Sequence, residues 1–257
     1  EEGEEARKKA NGRRSARHRH AKSSAGSSKL DNMMKEALPH VAMMVGDLNR
    51  DLFAVNCRSG TLRFVRAENE ESDPDAPTFS WDVRTDPHRP GDYISKLVDH
   101  SHAQGAAAPV FDGFLKRVQP DPDIRAFLQR FAGYCLLGIT VEQCLVFFYG
   151  AGRNGKSTFV DLLCAILGDY AVTLSIDSFA GEHRRGGSEA TPDLARLPGA
   201  RLVAASEPEM GVKLKDALIK TLTGGEKIAV RRLHQDFFEV EPQFKIMLSG
   251  NHKPRID

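Results

Sequence analysis

The stretch GAGRNGKST (residues 150–158) stands directly behind the apolar run CLVFFY (residues 144–149). Gly150, Gly155, Lys156 and Ser157 meet the spacing G-x-x-x-x-G-K-[ST] of a phosphate-binding loop. The run before it is short, continuous and β-rich, which is how a strand buried on both faces reads. The stretch after it, KSTFVDLLCAIL, has helical spacing and meets Gly168. Strand before and helix after is the context the motif requires; a glycine-rich turn that merely contains a lysine does not require it. Glycines let successive backbone N–H groups converge on phosphate oxygens, and the helix start adds the positive end of its dipole. The candidate nucleotide-binding set is therefore Gly150, Ala151, Gly152, Arg153, Asn154, Gly155, Lys156, Ser157 and Thr158. Lys156 offers a point charge to the β- and γ-phosphates of ATP, and Ser157 a hydroxyl to Mg²⁺.

Such a loop needs partners on other strands. RLVAASEPEM (residues 201–210) runs apolar from Leu202 to Ala205 and then presents Glu207 and Glu209. Ligands of parallel α/β sheets sit at the carboxyl ends of strands, so Glu207 can hold Mg²⁺ through water or act as general base, with Glu209 a second candidate for the metal. FKIMLSGN (residues 244–251) repeats the plan with Asn251 at its exit, where an amide can bind the γ-phosphate or the attacking water. Lys156, Glu207 and Asn251 form the candidate catalytic set. Strands alternating with helices predict an α/β protein with a parallel sheet.

The composition is compatible with this. The chain has 257 residues, 28% of them charged, and a formal net charge of +1, so whole-chain charge names no partner. Charge is uneven: residues 6–24 carry eight lysines and arginines without an acid, behind an acidic start. Cys57, Cys135, Cys144 and Cys164 have no metal-ligand spacing and read as reduced core thiols of a cytoplasmic protein. No apolar run approaches the ~20 residues of a membrane span. Without an initiator Met, the sequence is expected to be part of something longer.

Residues 1–28 hold almost nothing to bury and are expected to be a disordered basic linker, with a nucleic-acid-binding arm as the alternative. Residues 29–141 are expected to be a smaller domain. Within it DLFAVNCRSGTLRFV (residues 51–65) reads as strand, turn, strand. Residues 67–92 read as a long polar surface loop. PDPDIRAFLQRFAGYCLLGIT (residues 120–140) reads as a helix capped by Asp121 or Asp123. Residues 142–257 are the expected ATPase core.

At this point the residues resemble a known family, the superfamily 3 helicases, and within it the phage, plasmid and poxvirus primase-helicases. The resemblance rests on GAGRNGKST, RLVAASEPE, IKTLTGGEKIAVRRL (residues 219–233) and FKIMLSGNHKPRI, in the family's order and at similar spacing. It implies a P-loop NTPase (AAA+-like) core that hydrolyses ATP with Mg²⁺ to move on single-stranded DNA as a hexamer. It implies that Lys220, Lys227, Arg231 and Arg232 belong to a DNA-contacting hairpin segment, which the residues alone would give as a solvated basic hairpin. It implies a mainly helical domain over residues 29–141, an arginine finger beyond Asp257 and a primase domain upstream. Ser59 and Glu226 stand where members usually have Asn and Asp. Two other functions fit the residues before the resemblance: another P-loop enzyme such as a small-molecule kinase, and a nucleotide-dependent DNA clamp without turnover.

Overall fold

The computed structural model describes residues 2–68, 79–180, 191–206 and 213–254. Its centre is a four-stranded parallel sheet of β4 (Leu145–Tyr149), β5 (Ala171–Thr173), β6 (Leu202–Ser206) and β9 (Lys245–Gly250), in the order β4-β9-β6-β5. All six residues of β9 are buried, as an inner strand of a covered sheet must be. The register aligns Phe148 with Ser249, Tyr149 with Gly250, and Ser206 with Ser249. The carboxyl ends of β4, β9 and β6 therefore lie side by side.

Strand residues alternate between the two faces of the sheet, and so do the two cores. Leu202, Ala204 and Met247 pack with Phe159, Val160, Leu163 and Leu167 of helix α5 (Lys156–Leu167). Val203, Ala205, Ile246 and Leu248 pack on the opposite side with Phe179, Leu197, Leu214 and Leu222. Leu222 comes from α6 (Asp216–Gly224). The antiparallel hairpin of β7 (Ile228–Arg231) and β8 (Phe237–Val240) joins this second core through Val230 and Val240.

Upstream, β1 (Ala54–Cys57), β2 (Gly60–Glu68) and β3 (Phe79–Asp86) form an antiparallel sheet, with Arg58 and Ser59 as the turn between the first two. Arg63 of β2 pairs with Asp86 at the end of β3 (3.0 Å) and ties the sheet to its flanking segments through Asp51 (2.7 Å) and Asp92 (2.7 Å). Helices α3 (Pro109–Val118) and α4 (Pro122–Tyr134) follow. Asp121 caps α4, its carboxylate accepting from the N–H groups of Asp123 and Ile124. Leu128 and Phe131 of α4, with Val55, Cys57 and Leu62, belong to the same core as α5.

Four expectations differ from this arrangement. Residues 2–24 form an exposed helix, α1 (Glu2–Ser24), where a disordered linker is expected; Arg, Lys, Ala and Glu favour helix locally even with no apolar face to bury. The chain divides into residues 1–44 and 45–257, not at 28 and 141, because residues beyond 45 share one core with the parallel sheet. The segment read as a polar loop contains β3, where Phe79, Trp81 and Val83 alternate with Ser80, Asp82 and Arg84; this short alternation stands inside a stretch rich in Pro and Asp, and its side chains are mostly exposed. Cys57 and Cys135 are buried and Cys164 half-buried, but Cys144 is exposed. The first unit also holds α2 (Ser27–Val41), which contains Pro39. Among the described residues no helix is long and apolar enough to cross a membrane.

Candidate nucleotide site

β4 ends at Tyr149 and α5 begins at Lys156, so the quoted loop is the strand-to-helix turn. It turns tightly. Gly150 has φ 151°, Arg153 φ 63° and Gly155 φ 82°. Gly155 stands at the N-cap without any side-chain cap, and the first intrahelical bond runs from the N–H of Phe159 to the carbonyl of Gly155 (3.0 Å). The N–H groups of the first turn thus lack helical acceptors, which makes this end attractive to an anion.

Two neighbours shape the turn. A Cβ on Gly155 would lie 2.8 Å from Val118 Cγ1 and 3.1 Å from Phe114 Cζ, so α3 packs directly against the loop. A Cβ on Gly150 would collide with the side-chain amide of Asn154. Asn154 is therefore more than a spacer before Gly-Lys: its side chain closes the loop upon itself.

Lys156 donates from Nζ to the carbonyl of Gly150 (2.6 Å), to Oδ1 of Asn154 (2.9 Å) and to Oδ1 of Asn251 (3.3 Å). All three acceptors are neutral oxygens, so they fix the ammonium without cancelling its charge. A cleft of about 270 Å³ opens here, lined by residues 152–158 and by Ser249, Gly250 and Asn251. Ser157 and Thr158 line it as exposed residues. Ser249 and Gly250 were not singled out in the sequence. Their signal is the smallness of both residues at the end of an otherwise bulky strand.

Glu207 and Glu209 lie outside the described residues. Strand β6, which leads to them, ends at Ser206 beside Ser249 of β9. The donor set fits a triphosphate through Lys156 and the open helix start. It fits Mg²⁺ through the Ser157 hydroxyl, since that ion takes few protein ligands and completes its shell with phosphates and waters. Among the described residues no group of three or more His, Cys, Asp or Glu could hold a metal by itself.

The four residues proposed for DNA separate. Lys220 is exposed on α6. Lys227 precedes β7 and pairs with Glu239 across the hairpin at 3.9 Å. Arg231 and Arg232 stand at the other end of β7, roughly 13–17 Å further along at ~3.3 Å per residue. Arg231 is half-buried, its guanidinium 4.8 Å from the ring centre of Phe237 and its backbone N–H bound to Thr191 Oγ1 (2.9 Å). Arg232 is exposed, 5.7 Å from the ring centre of Phe238.

Two families match the chain in succession. The family described as D5 N terminal like matches residues 2–120, and a family of unknown function (DUF5906) matches residues 148–257. The helicase-named protein L207/L206 of Acanthamoeba polyphaga mimivirus is 34% identical over 145 residues, which are 56% of this chain and 15% of that protein. The helicase-named protein 022R of Frog virus 3 (isolate Goorha) is 31% identical over 147 residues, again 56% of this chain and 15% of that protein. Helicase-named 121R of Invertebrate iridescent virus 3 is 28% identical over 146 residues, 55% and 15%. The chain thus spans a small part of the length of the curated relatives it matches. An apo structure of the NrS-1 C-terminal region superposes with a TM-score of 0.45 at 19% identity, covering 58% of this chain and 34% of that one.

Proposed function

We propose that the chain belongs to the primase-helicase family and that residues 45–257 are part of an ATP-driven motor that moves on single-stranded DNA. The observation that carries the reading is the fixed Lys156 ammonium. It sits at a helix start, in a cleft closed on its other side by Asn251 at the end of the neighbouring parallel strand. The strand order supports it as well. β9 lies beside the loop-bearing β4, the strand order this reading needs for Asn251 to act next to the phosphate loop.

In this reading the loop and Lys156 bind the β- and γ-phosphates of ATP, while Ser157 and Glu207 hold Mg²⁺, with Glu209 as a further candidate. Glu207 takes the proton of the attacking water and Asn251 orients that water. Bound Mg²⁺ supplies charge neutralisation on the phosphoryl oxygens. Arg231 and Arg232, with Lys220 and Lys227, contact the phosphates of the strand. The resemblance to superfamily 3 helicases implies a hexameric ring, in which an arginine from a neighbouring subunit would offset charge on the transferred phosphoryl, a contribution worth ~10³–10⁵ in rate.

The test is steady-state ATP hydrolysis by a protein that contains this chain, with and without single-stranded DNA, against its Lys156→Ala variant. DNA-stimulated hydrolysis that the variant abolishes is the expected result. Nucleotide and DNA binding without turnover would instead identify a clamp.

A further inference from the structure

A hollow of about 460 Å³ lies on the β5 side of the sheet, with Lys96, Arg196 and Arg232 in its wall. It is distinct from the nucleotide cleft. That cleft belongs to β4, at the other edge of the sheet, and outer strands of a four-stranded sheet lie ~14 Å apart. No carboxylate is among the described residues that line the hollow. Three cations converge on one cavity from three separate segments of the chain.

The walls are built. Asn49 is buried, 4% exposed. Its Nδ2 donates to Ser95 Oγ and its Oδ1 accepts from the Ser95 N–H, both at 2.9 Å, which fixes the segment that carries Lys96. The carbonyl of Lys96 accepts from the hydroxyl of Tyr170 (3.4 Å). Asn49 also fits against Gly199, where a Cβ would come within 2.8 Å of its Cγ, so the same residue locks the chain just beyond Arg196. Arg196 spends one donor, from Nη1 to the carbonyl of Thr173 (3.2 Å), out of the five that a guanidinium offers. Burial lowers the pKa of Lys96, and the charge of Arg196 lowers it further against the opposing pull of Asp169. Asp169 offsets part of the repulsion at Lys96, and a bound anion would relieve what remains among the three cations.

We propose that Lys96, Arg196 and Arg232 form a second site for a phosphate group, separate from the nucleotide cleft. Arg232 leaves the end of β7, in the segment proposed above for single-stranded DNA, so the backbone of such a strand is the first source of that phosphate. To that extent the inference rests on the function proposed above. A free phosphorylated solute offers the same chemistry, and the experiment separates the two.

Two probes are used on a protein containing the chain: a fluorescein-labelled oligo(dT) followed by anisotropy at several salt concentrations, and inorganic pyrophosphate followed by calorimetry. The variant is Lys96→Gln with Arg196→Gln. The charge-preserving swap Lys96→Arg with Arg196→Lys serves as control, and thermal melting checks folding. If a strand occupies the site, the Gln variant weakens oligo(dT) about tenfold and lowers the salt slope by ~1.4, from ~0.7 per lost contact on single strands. The swap keeps both. If a free phosphate occupies it, oligo(dT) binding is unchanged, but pyrophosphate binding that survives Lys156→Ala disappears in the Gln variant. Either loss supports the site. Oligo(dT) slope and pyrophosphate binding both unchanged in a folded Gln variant would overturn it. Neither readout involves ATP turnover, so a chain without motor activity would leave the site standing, and an active motor would not rescue it.

Discussion

Nζ of Lys156 lies 3.3 Å from Oδ1 of Asn251, across 95 residues of sequence. Strand pairing makes the contact: β4 and β9 run parallel with Tyr149 opposite Gly250, so their exits meet. The two side chains should nevertheless contribute differently. Lys156→Ala removes the only charge in the contact, and nucleotide affinity should fall about 10- to 100-fold, the worth of a charged hydrogen bond. Asn251→Ala leaves Lys156 held by Gly150 and Asn154. Its nucleotide affinity should change by only a few fold, while turnover falls ~10²-fold or more if the amide orients water. Titration calorimetry and steady-state hydrolysis on the same preparations separate the two effects. Asn251→Ala losing affinity as completely as Lys156→Ala would place Asn251 in binding alone.

The glycines of the loop are not equivalent. At Gly155 the backbone is left-handed, φ 82°, and a Cβ would press on Val118 at 2.8 Å. At Gly152 nothing lies within 4 Å of an added Cβ. Gly155→Ala should therefore cost at least ~1–2 kcal/mol from backbone conformation alone and distort the cradle. Gly152→Ala should stay within ~0.5 kcal/mol, as an open surface position does. Adding Val118→Ala to Gly155→Ala should recover nucleotide binding in part, because it relieves the collision but not the backbone strain. Urea unfolding and nucleotide titration of the three variants are the check. Equal effects of the two single substitutions would mean that α3 does not support the loop.

The loop, its strand and its helix were legible because a glycine-lysine spacing sits between two apolar runs whose periods are unmistakable. Strands β6 and β9 were legible for the same reason, since inner parallel strands carry continuous apolar sequence. β3 escaped although Phe79, Trp81 and Val83 alternate with Ser80, Asp82 and Arg84, because three apolar residues inside a stretch rich in Pro and Asp are outweighed by its turn-forming composition. The division at residue 44 was not legible either. Leu128 and Phe131 mark α4 as amphipathic, but sequence does not say which apolar face they meet, and it is that of α5 and the sheet. The support of Gly155 by α3 and the hollow around Lys96 and Arg196 escaped for a related reason. Each joins segments far apart in sequence, and each contributing residue is ordinary by itself.

Arg231 and Arg232 are neighbours in sequence with different surroundings. Arg231 is half-buried against Phe237 and lies where the backbone bonds to Thr191, whereas Arg232 is exposed. Arg232→Ala should leave the melting temperature unchanged and lower the single-strand salt slope by ~0.7, one phosphate contact. Arg231→Ala should lower stability by ~1 kcal/mol through lost ring stacking and packing, whether or not it also alters the slope. Thermal melting paired with anisotropy at three salt concentrations distinguishes them. A destabilised Arg232→Ala with an unchanged slope would make the hairpin cation structural.

Lys245 supplies a pH dependence whose sign can be worked out. It is 2% exposed, at the start of β9. Its Nζ donates to the carbonyl of Leu137 and lies 4.1 Å from the ring centre of Tyr134. Burial pushes its pKa down to about 7, with Arg201 adding in the same direction and Cys135 opposing, against 10.5 for the exposed group. Between those values the unfolded chain binds a proton that the folded chain does not. Stability should therefore rise with pH from about 7, by up to about 1.4 kcal/mol per pH unit. Cys135 acts oppositely. Burial pushes its thiol up to about 12 from 9.0, so above pH 9 the unfolded chain loses a proton that the folded chain keeps, and stability falls. The net gain is confined to the window between about 7 and 9. Lys245→Met keeps the length of the side chain and removes the titration. Its unfolding free energy, measured in urea at pH 7, 8 and 9, should be nearly flat where that of the parent rises, with the largest advantage over the parent at pH 7. Parent and variant rising in parallel across the window would assign the proton to another group.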